Sequence, residues 1–206
     1  DALLIFDEVV TAFRAGPGGA QGYFNVRPDL TVFGKIVAGG FPMAGGGGGR
    51  EDIMSCMAAG VKAGKKRAYV GGTLTANPLS CAAGYYAIKE IIEEDAARKA
   101  GENGDKLCSG IQQLIDKYEL PFVVWNIGSI VHFEVSGVMY LSVKDPDIFK
   151  KIPQRQHHIE QFGAALTANG IITLAGSRIY TSMADNDGTI EETLKGFEEI
   201  FQNIQR

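Results

Sequence analysis

The first part of the chain contains two short apolar runs, each of which ends close to charged residues. Residues 2–6 read Ala-Leu-Leu-Ile-Phe and end at Asp7. A second run, Leu30-Thr-Val-Phe33, is followed by Gly34 and Lys35. Continuous apolar runs of this length are typical of strands that a parallel sheet buries on both faces. The pattern therefore predicts two buried strands, with Asp7 and Lys35 at or just beyond their carboxyl ends.

The remaining elements follow from turn residues and from the period of the apolar positions. Residues 14–22 are rich in glycine and proline and predict a loop. From Pro78 the apolar positions take a helical period, which predicts a long helix with a break near Gly101 to Gly104. Beyond it the pattern predicts two strands around Gly128, a helix over about 154–168, strands near 171–183 and a helix from Ile190 to Ile204.

Five consecutive glycines at 45–49 form the only low-complexity segment. They lack the lysine-serine or lysine-threonine ending of a nucleotide-binding loop, so nucleotide binding has little support. A tight strand or a mobile loop is the expected structure of this run.

The predicted elements indicate an α/β protein with two domains. We expect the first domain to span residues 1–105 and a smaller α/β unit to span 106–206, with the boundary inside the long helix. The chain begins within a strand pattern and has no initiator Met. We therefore expect it to be truncated at its N-terminus.

The composition narrows the class of protein. Hydrophobic residues make up 45% of the 206 positions and charged residues 21%, which is the profile of a globular chain. A net charge of -4 gives no reason to expect nucleic acid or an anionic membrane as partner. The three cysteines match neither a disulfide framework nor a zinc spacing, which favours a reducing compartment, the cytoplasm, and no metal. No apolar run approaches the roughly 20 residues that cross a bilayer.

Asp7 and Lys35 suggest a specific chemistry, because the carboxyl ends of parallel strands meet at one edge of a sheet. A lysine amine condenses with the aldehyde of pyridoxal phosphate. A carboxylate beside the pyridine nitrogen keeps it protonated, so that the ring can withdraw electrons from a substrate carbanion. Charged residues end many strands, however, so the pair alone does not separate this chemistry from an ordinary polar strand end.

Several longer motifs stand in the order known from one enzyme family. They are Leu4-Ile-Phe-Asp-Glu-Val-Val-Thr-Ala-Phe-Arg14, Gly18-Gly-Ala-Gln21, Pro28-Asp-Leu-Thr31, Gly34-Lys35, Gly39-Gly40, Pro42 and Gly72-Thr-Leu-Thr-Ala-Asn-Pro78. The set resembles the class III aminotransferases, and within them the glutamate semialdehyde aminomutases and their relatives. The resemblance is strong over residues 3–90 and rests on length and element order afterwards.

The resemblance implies a type I fold of pyridoxal-phosphate-dependent transferases. The chain would hold the second half of the large domain, with a mostly parallel sheet, and the α+β small domain. Lys35 would carry the cofactor as a Schiff base and move a proton between substrate Cα and the cofactor. Asp7 would pair with the pyridine nitrogen, and Val9 would pack on the ring face. Gly72 and Thr73 would bind the cofactor phosphate of a neighbouring subunit, which requires a homodimer with a shared active site.

The implied reaction moves an amino group between an amino acid or amine and a carbonyl acceptor. Two alternatives stay open. One is the intramolecular amino transfer of the aminomutases. The other is a catalytically silent dimerising fragment, because the family completes the phosphate site with a helix from the first half of the large domain, which the chain lacks.

Two departures from the aminomutase pattern concern the substrate. Where aminomutases commonly show Val-Gly-Ala-Phe-Gly-Gly, the chain reads Met43-Ala-Gly-Gly-Gly-Gly-Gly49, which removes a bulky group and predicts a larger or differently shaped pocket. A glutamate expected between the two last strands is not evident in Gly176-Ser-Arg-Ile-Tyr180. Arg178 in that stretch has two interpretations, a bidentate partner of a substrate carboxylate or a solvated surface arginine.

Overall fold

The computed structural model describes residues 2–42, 45–57, 67–135 and 148–204. It divides into two compact units, Asp1–Ala97 and Arg98–Arg206. The division falls inside a helix that spans Ala96–Lys117, somewhat before the expected boundary near residue 105. Met43 and Ala44, on which part of the pocket-size argument rests, lie outside the described residues.

The first unit is built on a small mixed sheet. Its elements are β1 (Ile5–Asp7), α1 (Gly19–Tyr23), β2 (Leu30–Gly34), β3 (Gly45–Gly49), α2 (Glu51–Met54) and α3 (Pro78–Glu93), with 3₁₀ turns at Lys35–Ala38 and Ser55–Met57. The strand order is β1-β2-β3. β1 pairs parallel to β2, as expected, whereas β3 pairs antiparallel. The described sheet is therefore mixed, because the five-glycine run forms a strand, as one of the two expected structures of this run, and pairs antiparallel with β2.

β1 differs from the buried strand that its sequence predicts. Ile5 is 56% exposed and Leu4 is 45% exposed. Strand side chains project from the two faces of a sheet, so their burial depends on what covers those faces, and Val32 in the central strand β2 is likewise 42% exposed. The apolar sequence of β1 is suited to burial that the described residues of this unit do not provide.

The prediction of a loop over 14–22 is wrong at its end, because Gly19–Tyr23 form α1. The carboxylate of Glu8 accepts hydrogen bonds from the backbone N–H groups of Ala20 and Gln21, both at 2.8 Å. A side chain from outside the segment thus binds the unpaired N–H groups of the first helical turn. Glycine content alone does not reveal such a long-range cap.

α3 begins where the sequence predicts. Asn77 is its N-cap, and the side-chain oxygen Oδ1 accepts from the N–H groups of Leu79 at 3.0 Å and Ser80 at 3.3 Å. Pro78 occupies the first turn, where a missing N–H costs nothing. The cap and the proline together fix the start of the helix.

The expected break near Gly101 to Gly104 is wrong. α3 ends at Glu93 and α4 (Ala96–Lys117) follows, with Asp95 in the left-handed region at φ 51°. Gly101 and Gly104 are buried inside α4 instead. A Cβ at Gly104 would overlap the carbonyl oxygen of Gly128, so these glycines allow close packing and do not interrupt the helix.

The second unit packs helices against an antiparallel sheet. After α4 its elements are β4 (Val123–Ile127), β5 (Ile130–Glu134), α5 (Ile148–Ala168), β6 (Arg178–Tyr180) and α6 (Asp187–Gln202). The two strands expected around Gly128 are confirmed as β4 and β5, with β6 on the other side of β5. The expected helices are confirmed as α5 and α6, each starting earlier than predicted. Of the strands expected near 171–183, the structure has β6 and an isolated bridge between Leu174 and Arg178.

The second unit encloses its own hydrophobic core. An aromatic cluster stands at its centre and consists of Phe122, Phe133, Phe162, Phe197 and Phe201. Phe197 is fully buried, and Leu107 and Ile111 of α4 pack into the same core. Burying each such side chain stabilises the fold by about 2 kcal/mol. Among the described residues, no helix is both long and apolar enough to cross a membrane.

Candidate active site

Asp7 and Lys35 lie at the same edge of the sheet in the first unit. β1 and β2 run parallel, and Asp7 is paired in register with Val32. Lys35 follows Gly34, the last residue of β2, so it stands beyond the carboxyl end of the neighbouring strand. Lys35 is three positions beyond Val32, which corresponds to about 10 Å along an extended strand. The fold thus places an aspartate and a lysine at the same end of two neighbouring strands.

The Asp7 side chain is exposed and is oriented by its own loop. Its Oδ1 atom accepts a hydrogen bond from the backbone N–H of Val9 at 3.0 Å. This hydrogen bond spans two residues and fixes the backbone of Val9 in the turn that follows β1. A carboxylate and an apolar side chain are therefore presented together next to the strand end.

Lys35 has an unusual backbone. Its φ is 54°, in the left-handed region that residues other than glycine and asparagine rarely adopt. It opens the 3₁₀ turn Lys35–Ala38 directly after an extended Gly34, and its side chain is exposed. Such conformations cost about 1 kcal/mol or more and concentrate at functional sites. A local sequence pattern does not predict this strain, because lysine has no preference for the left-handed region.

Gly45, the first residue of β3, is paired in register with Gly34. The glycine strand therefore begins beside the residue that precedes Lys35. Because the paired residue is a glycine, it places no side chain next to Gly34. The size of the pocket stays a prediction.

Glu8 is a residue of this site that the sequence analysis missed. Its side chain is 1% exposed, and its carboxylate accepts from the Thr11 hydroxyl as well as from the two N–H groups at the start of α1. Burial acts to raise the pKa of Glu8, but these hydrogen bonds outweigh burial and leave the pKa lowered. Glu8 thus ties the turn that carries Val9 to α1.

A signal for this role was present in the sequence. Gly19 has a φ of 63°, and a Cβ there would lie 2.7 Å from the nearer Glu8 oxygen. The pair Gly18-Gly19 therefore makes room for the carboxylate at the start of α1. In the sequence, this contact corresponds to an acidic residue after a strand and a glycine pair at the start of a short helix, where Gly18 is the N-cap and Gly19 is the first helical residue.

Gly72 and Thr73 lie in an exposed turn that leads into α3. The backbone N–H of Thr75 donates to the carbonyl oxygen of Gly72 at 3.0 Å, which closes the turn. Ala76 then adopts a left-handed φ of 55° before the cap at Asn77. Their exposure leaves the Thr73 hydroxyl and the local backbone accessible to a ligand.

Arg178 belongs to the second unit. It is the first residue of β6, is exposed, and is paired across the sheet with His132. It lines a cavity of about 810 Å³ together with His132 and Arg155. Burial lowers the pKa of His132, Glu134 acts to raise it, and the charges of Arg178 and Arg155 lower it further. Arg155 is paired with Glu134, and Glu160 also lines the cavity. Both interpretations of Arg178, a substrate-carboxylate partner and a solvated surface arginine, therefore stay predictions.

The chain was compared with protein families and curated sequences. The family description "Aminotransferase class-III" matches residues 1–200. The chain belongs to the class III aminotransferase family. A curated relative is the glutamate-1-semialdehyde 2,1-aminomutase of Pyrobaculum aerophilum, which is 36% identical over 206 residues. That alignment covers 100% of this chain and 46% of the relative, so the chain spans about half the length of the curated relatives it matches.

Solved structures agree with this family. An omega-transaminase from Sphaerobacter thermophilus superposes with a TM-score of 0.80 at 29% identity, over 98% of this chain and 44% of that one. A glutamate-1-semialdehyde aminomutase from Pseudomonas aeruginosa PAO1 superposes with a TM-score of 0.76 at 24% identity, over 98% and 45%. The fold of this class III chain is thus the type I fold of pyridoxal-phosphate-dependent transferases, present in part.

Proposed function

We propose that the chain is the lysine-bearing part of a pyridoxal-phosphate-dependent aminotransferase, with Lys35 as the residue that binds the cofactor. The observation that carries the proposal is the position of Asp7 and Lys35 at one edge of the sheet, in a chain that the family matches almost throughout. Among the structural neighbours, one is a transaminase with PLP bound and another is in complex with PMP.

The residues at the sheet edge fit this cofactor chemically. When bound, pyridoxal phosphate supplies an electron sink for the charge left when a substrate Cα–H bond breaks. The Lys35 Nζ would hold the cofactor and would then take the proton from substrate Cα. Asp7 would keep the pyridine nitrogen protonated, and Val9 would pack on the ring face. Among the described residues, no carboxylate forms an ion pair with Lys35.

Gly72 and Thr73 supply the proposed link to a second subunit. Both are exposed, and a hydroxyl with neighbouring backbone N–H groups is suited to binding a phosphate. We assign them to the cofactor phosphate of the partner in a homodimer, so that each active site is shared. Loss of cofactor retention in a Thr73→Ala dimer, with Lys35 intact, is the expected sign of this arrangement.

The proposed reaction is transfer of an amino group from an amino acid or amine to a carbonyl acceptor. The alternative is transfer within one substrate, since a curated relative is an aminomutase. The experiment supplies a ¹⁵N-labelled amino donor and an unlabelled carbonyl acceptor, then locates the label by mass spectrometry. Transamination places ¹⁵N on the acceptor, whereas an aminomutase leaves the amino group on the same carbon skeleton.

Lys35→Ala tests the assigned lysine in the same assay, and Lys89→Ala is the matched control because Lys89 is an exposed surface residue of α3. We expect Lys35→Ala to lose at least about 10³-fold in turnover, since it removes both the binding amine and the proton carrier. Equal turnover in the two variants would contradict the proposal.

A catalytically silent dimerising role is the second candidate, and it would give no turnover in this chain alone. The assay is therefore run on the printed chain and on the chain extended to its relatives' length. Turnover in the extended protein alone would assign the printed chain to the silent role and keep Lys35 as the catalytic residue. Turnover in both would exclude the silent role.

A further inference from the structure

The turn that carries Lys35 is seated directly on helix α3. Gly84 is buried in α3, and a Cβ added there would overlap the carbonyl oxygen of Val37, two residues after the lysine. In return, a Cβ at Gly39 would lie 2.6 Å from the carbonyl oxygen of Ala83, and Gly39 itself has a φ of 58°. Each backbone thus approaches the other at a glycine. This contact is closer than any residue with a side chain permits.

A hydrogen bond fastens the same segment to α3 one turn earlier. Ser80 is buried at 4% exposure, and its hydroxyl donates to the carbonyl oxygen of Pro42 at 2.8 Å. The backbone from Val37 to Pro42 therefore meets α3 at Ser80 and again at Ala83 and Gly84. On the N-terminal side of Lys35, the preceding residue Gly34 is paired with Gly45 in the sheet.

These contacts explain how a strained residue is held. Lys35 adopts a left-handed φ between two fixed segments, the end of β2 and the turn that rests on α3. Strain of this kind persists only where the surroundings determine the conformation. A glycine within a helix weakens the helix relative to alanine, so the place of Gly84 in α3 calls for a packing reason.

We propose that Gly84 is a positioning residue for Lys35, because it lets α3 support the carbonyl of Val37 and so fixes the backbone of the lysine. The inference rests on the proposed role of Lys35. A methyl group at position 84 pushes the turn away from α3, which lets Lys35 relax from its left-handed conformation and turns its amine away from the sheet edge.

The test uses Gly84→Ala in the protein extended to its relatives' length. Gly22→Ala is the matched control, since a Cβ at Gly22 of α1 meets nothing within 4 Å. Pyridoxal phosphate is added at limiting concentration, the protein is reduced with borohydride, and the label on Lys35 is quantified. We expect about tenfold less label on Lys35 in Gly84→Ala and no change in Gly22→Ala, in line with the usual cost of an overpacked contact.

A second readout needs no cofactor. Hydrogen exchange is measured for the amides of Gly39 and Phe41, which donate within the turn to Ile36 and Ala38 at 3.0 Å. We expect these amides to exchange about tenfold faster in Gly84→Ala, while amides in β2 keep their rates. Ser80→Ala removes the hydrogen bond to Pro42 and should raise the exchange rates of the same amides by a smaller factor.

The possible outcomes separate this inference from the proposed function. If the parent protein shows no selective label on Lys35, the proposed function fails, and the exchange rates still decide whether Gly84 orders the turn. If Gly84→Ala matches the parent in both readouts, the inference is overturned. Faster exchange throughout the first unit, without preference for Gly39 and Phe41, would also overturn it, because Gly84 would then serve general stability only.

Discussion

The two compact units of the chain differ in how many of their large apolar side chains are buried. The second unit surrounds the cluster of phenylalanines with helices and a sheet, and its buried core spans Leu107 to Phe201. In the first unit the buried apolar residues among those described are Ala12 and Ala38. Its large apolar side chains are mostly at the surface, and the exposed ones are Leu3, Leu4, Ile5, Tyr23, Phe24, Val26, Val32, Phe41, Met57, Tyr69, Val70, Leu74, Leu79, Tyr85, Tyr86 and Ile92.

The unit that contains the hydrophobic core and the unit that contains the proposed cofactor site are therefore different. The unit with the complete core carries none of the proposed cofactor-binding residues, whereas the unit with exposed apolar side chains holds Asp7, Val9 and Lys35. Large exposed apolar patches mark places where further protein packs. The chain spans about half the length of the curated relatives it matches.

The largest expected effect tests the core of the second unit. Phe197→Ala removes a fully buried ring that contacts Phe133 and Phe201. We expect the free energy of unfolding to fall by about 4 kcal/mol, because the ring leaves a cavity. Tyr86→Ala, at a site 66% exposed in the first unit, should change it by less than about 1 kcal/mol in the printed chain. Urea unfolding of the two variants measures the contrast, and similar losses would remove the distinction between the units.

A smaller effect concerns the ion pair between Arg155 and Glu134 in the second unit. The Arg155 Nε donates to Glu134 Oε2 at 2.8 Å, and the two side chains are 16% and 2% exposed. Arg155→Met should cost about 3 kcal/mol, because it removes a cation that donates to a buried carboxylate. Adding Glu134→Gln should recover part of that loss in urea unfolding. A double variant no more stable than Arg155→Met would show that the charge of Glu134 is not the cause.

Glu8 gives a pH-dependent test in the first unit. Its pKa in the folded chain lies below the ordinary value of 4.5, so its hydrogen bonds stabilise the fold above pH 4.5 and are lost as pH falls through the lowered pKa. Glu8→Gln should therefore cost about 2 kcal/mol at pH 7 and progressively less as the pH falls below 4.5. Chemical unfolding of both proteins between neutral and acid pH measures this convergence. A difference that stays constant with pH would mean that the charge of Glu8 does not contribute.

The smallest effect has the opposite sign. Lys35→Gly relieves a left-handed backbone, so we expect it to stabilise the first unit by about 1 kcal/mol while abolishing cofactor attachment. The matched control is Lys89→Gly within α3, which should destabilise by about 1 kcal/mol. Thermal unfolding compares the two, and a loss of stability in Lys35→Gly would show that its φ carries no strain.

The sequence predicts the parts of the site that depend on local order. Asp7 and Lys35 each follow a short apolar strand, and the parallel pairing of those strands places both at one edge. Element types and order in the second unit follow equally from apolar periodicity and turn residues. Such features need only neighbouring residues and the general rules of sheet topology.

The features that the sequence analysis missed depend on partners distant in the chain. Glu8 caps α1 from twelve residues away, so residues 19–23 become helical where composition indicates a loop. Gly104 stays within α4 because it packs on Gly128, although a glycine pair locally suggests a break. The left-handed φ of Lys35 likewise depends on the contact between Val37 and Gly84. In each case tertiary contact overrides local preference.

We propose that Lys35 is the lysine that holds the cofactor. The most direct measurement adds pyridoxal phosphate to the protein at its relatives' full length, reduces with borohydride and maps the pyridoxyl label by mass spectrometry. We expect a label concentrated on Lys35 and absent from Lys35→Ala. A label spread evenly over surface lysines such as Lys89 and Lys106 would contradict it.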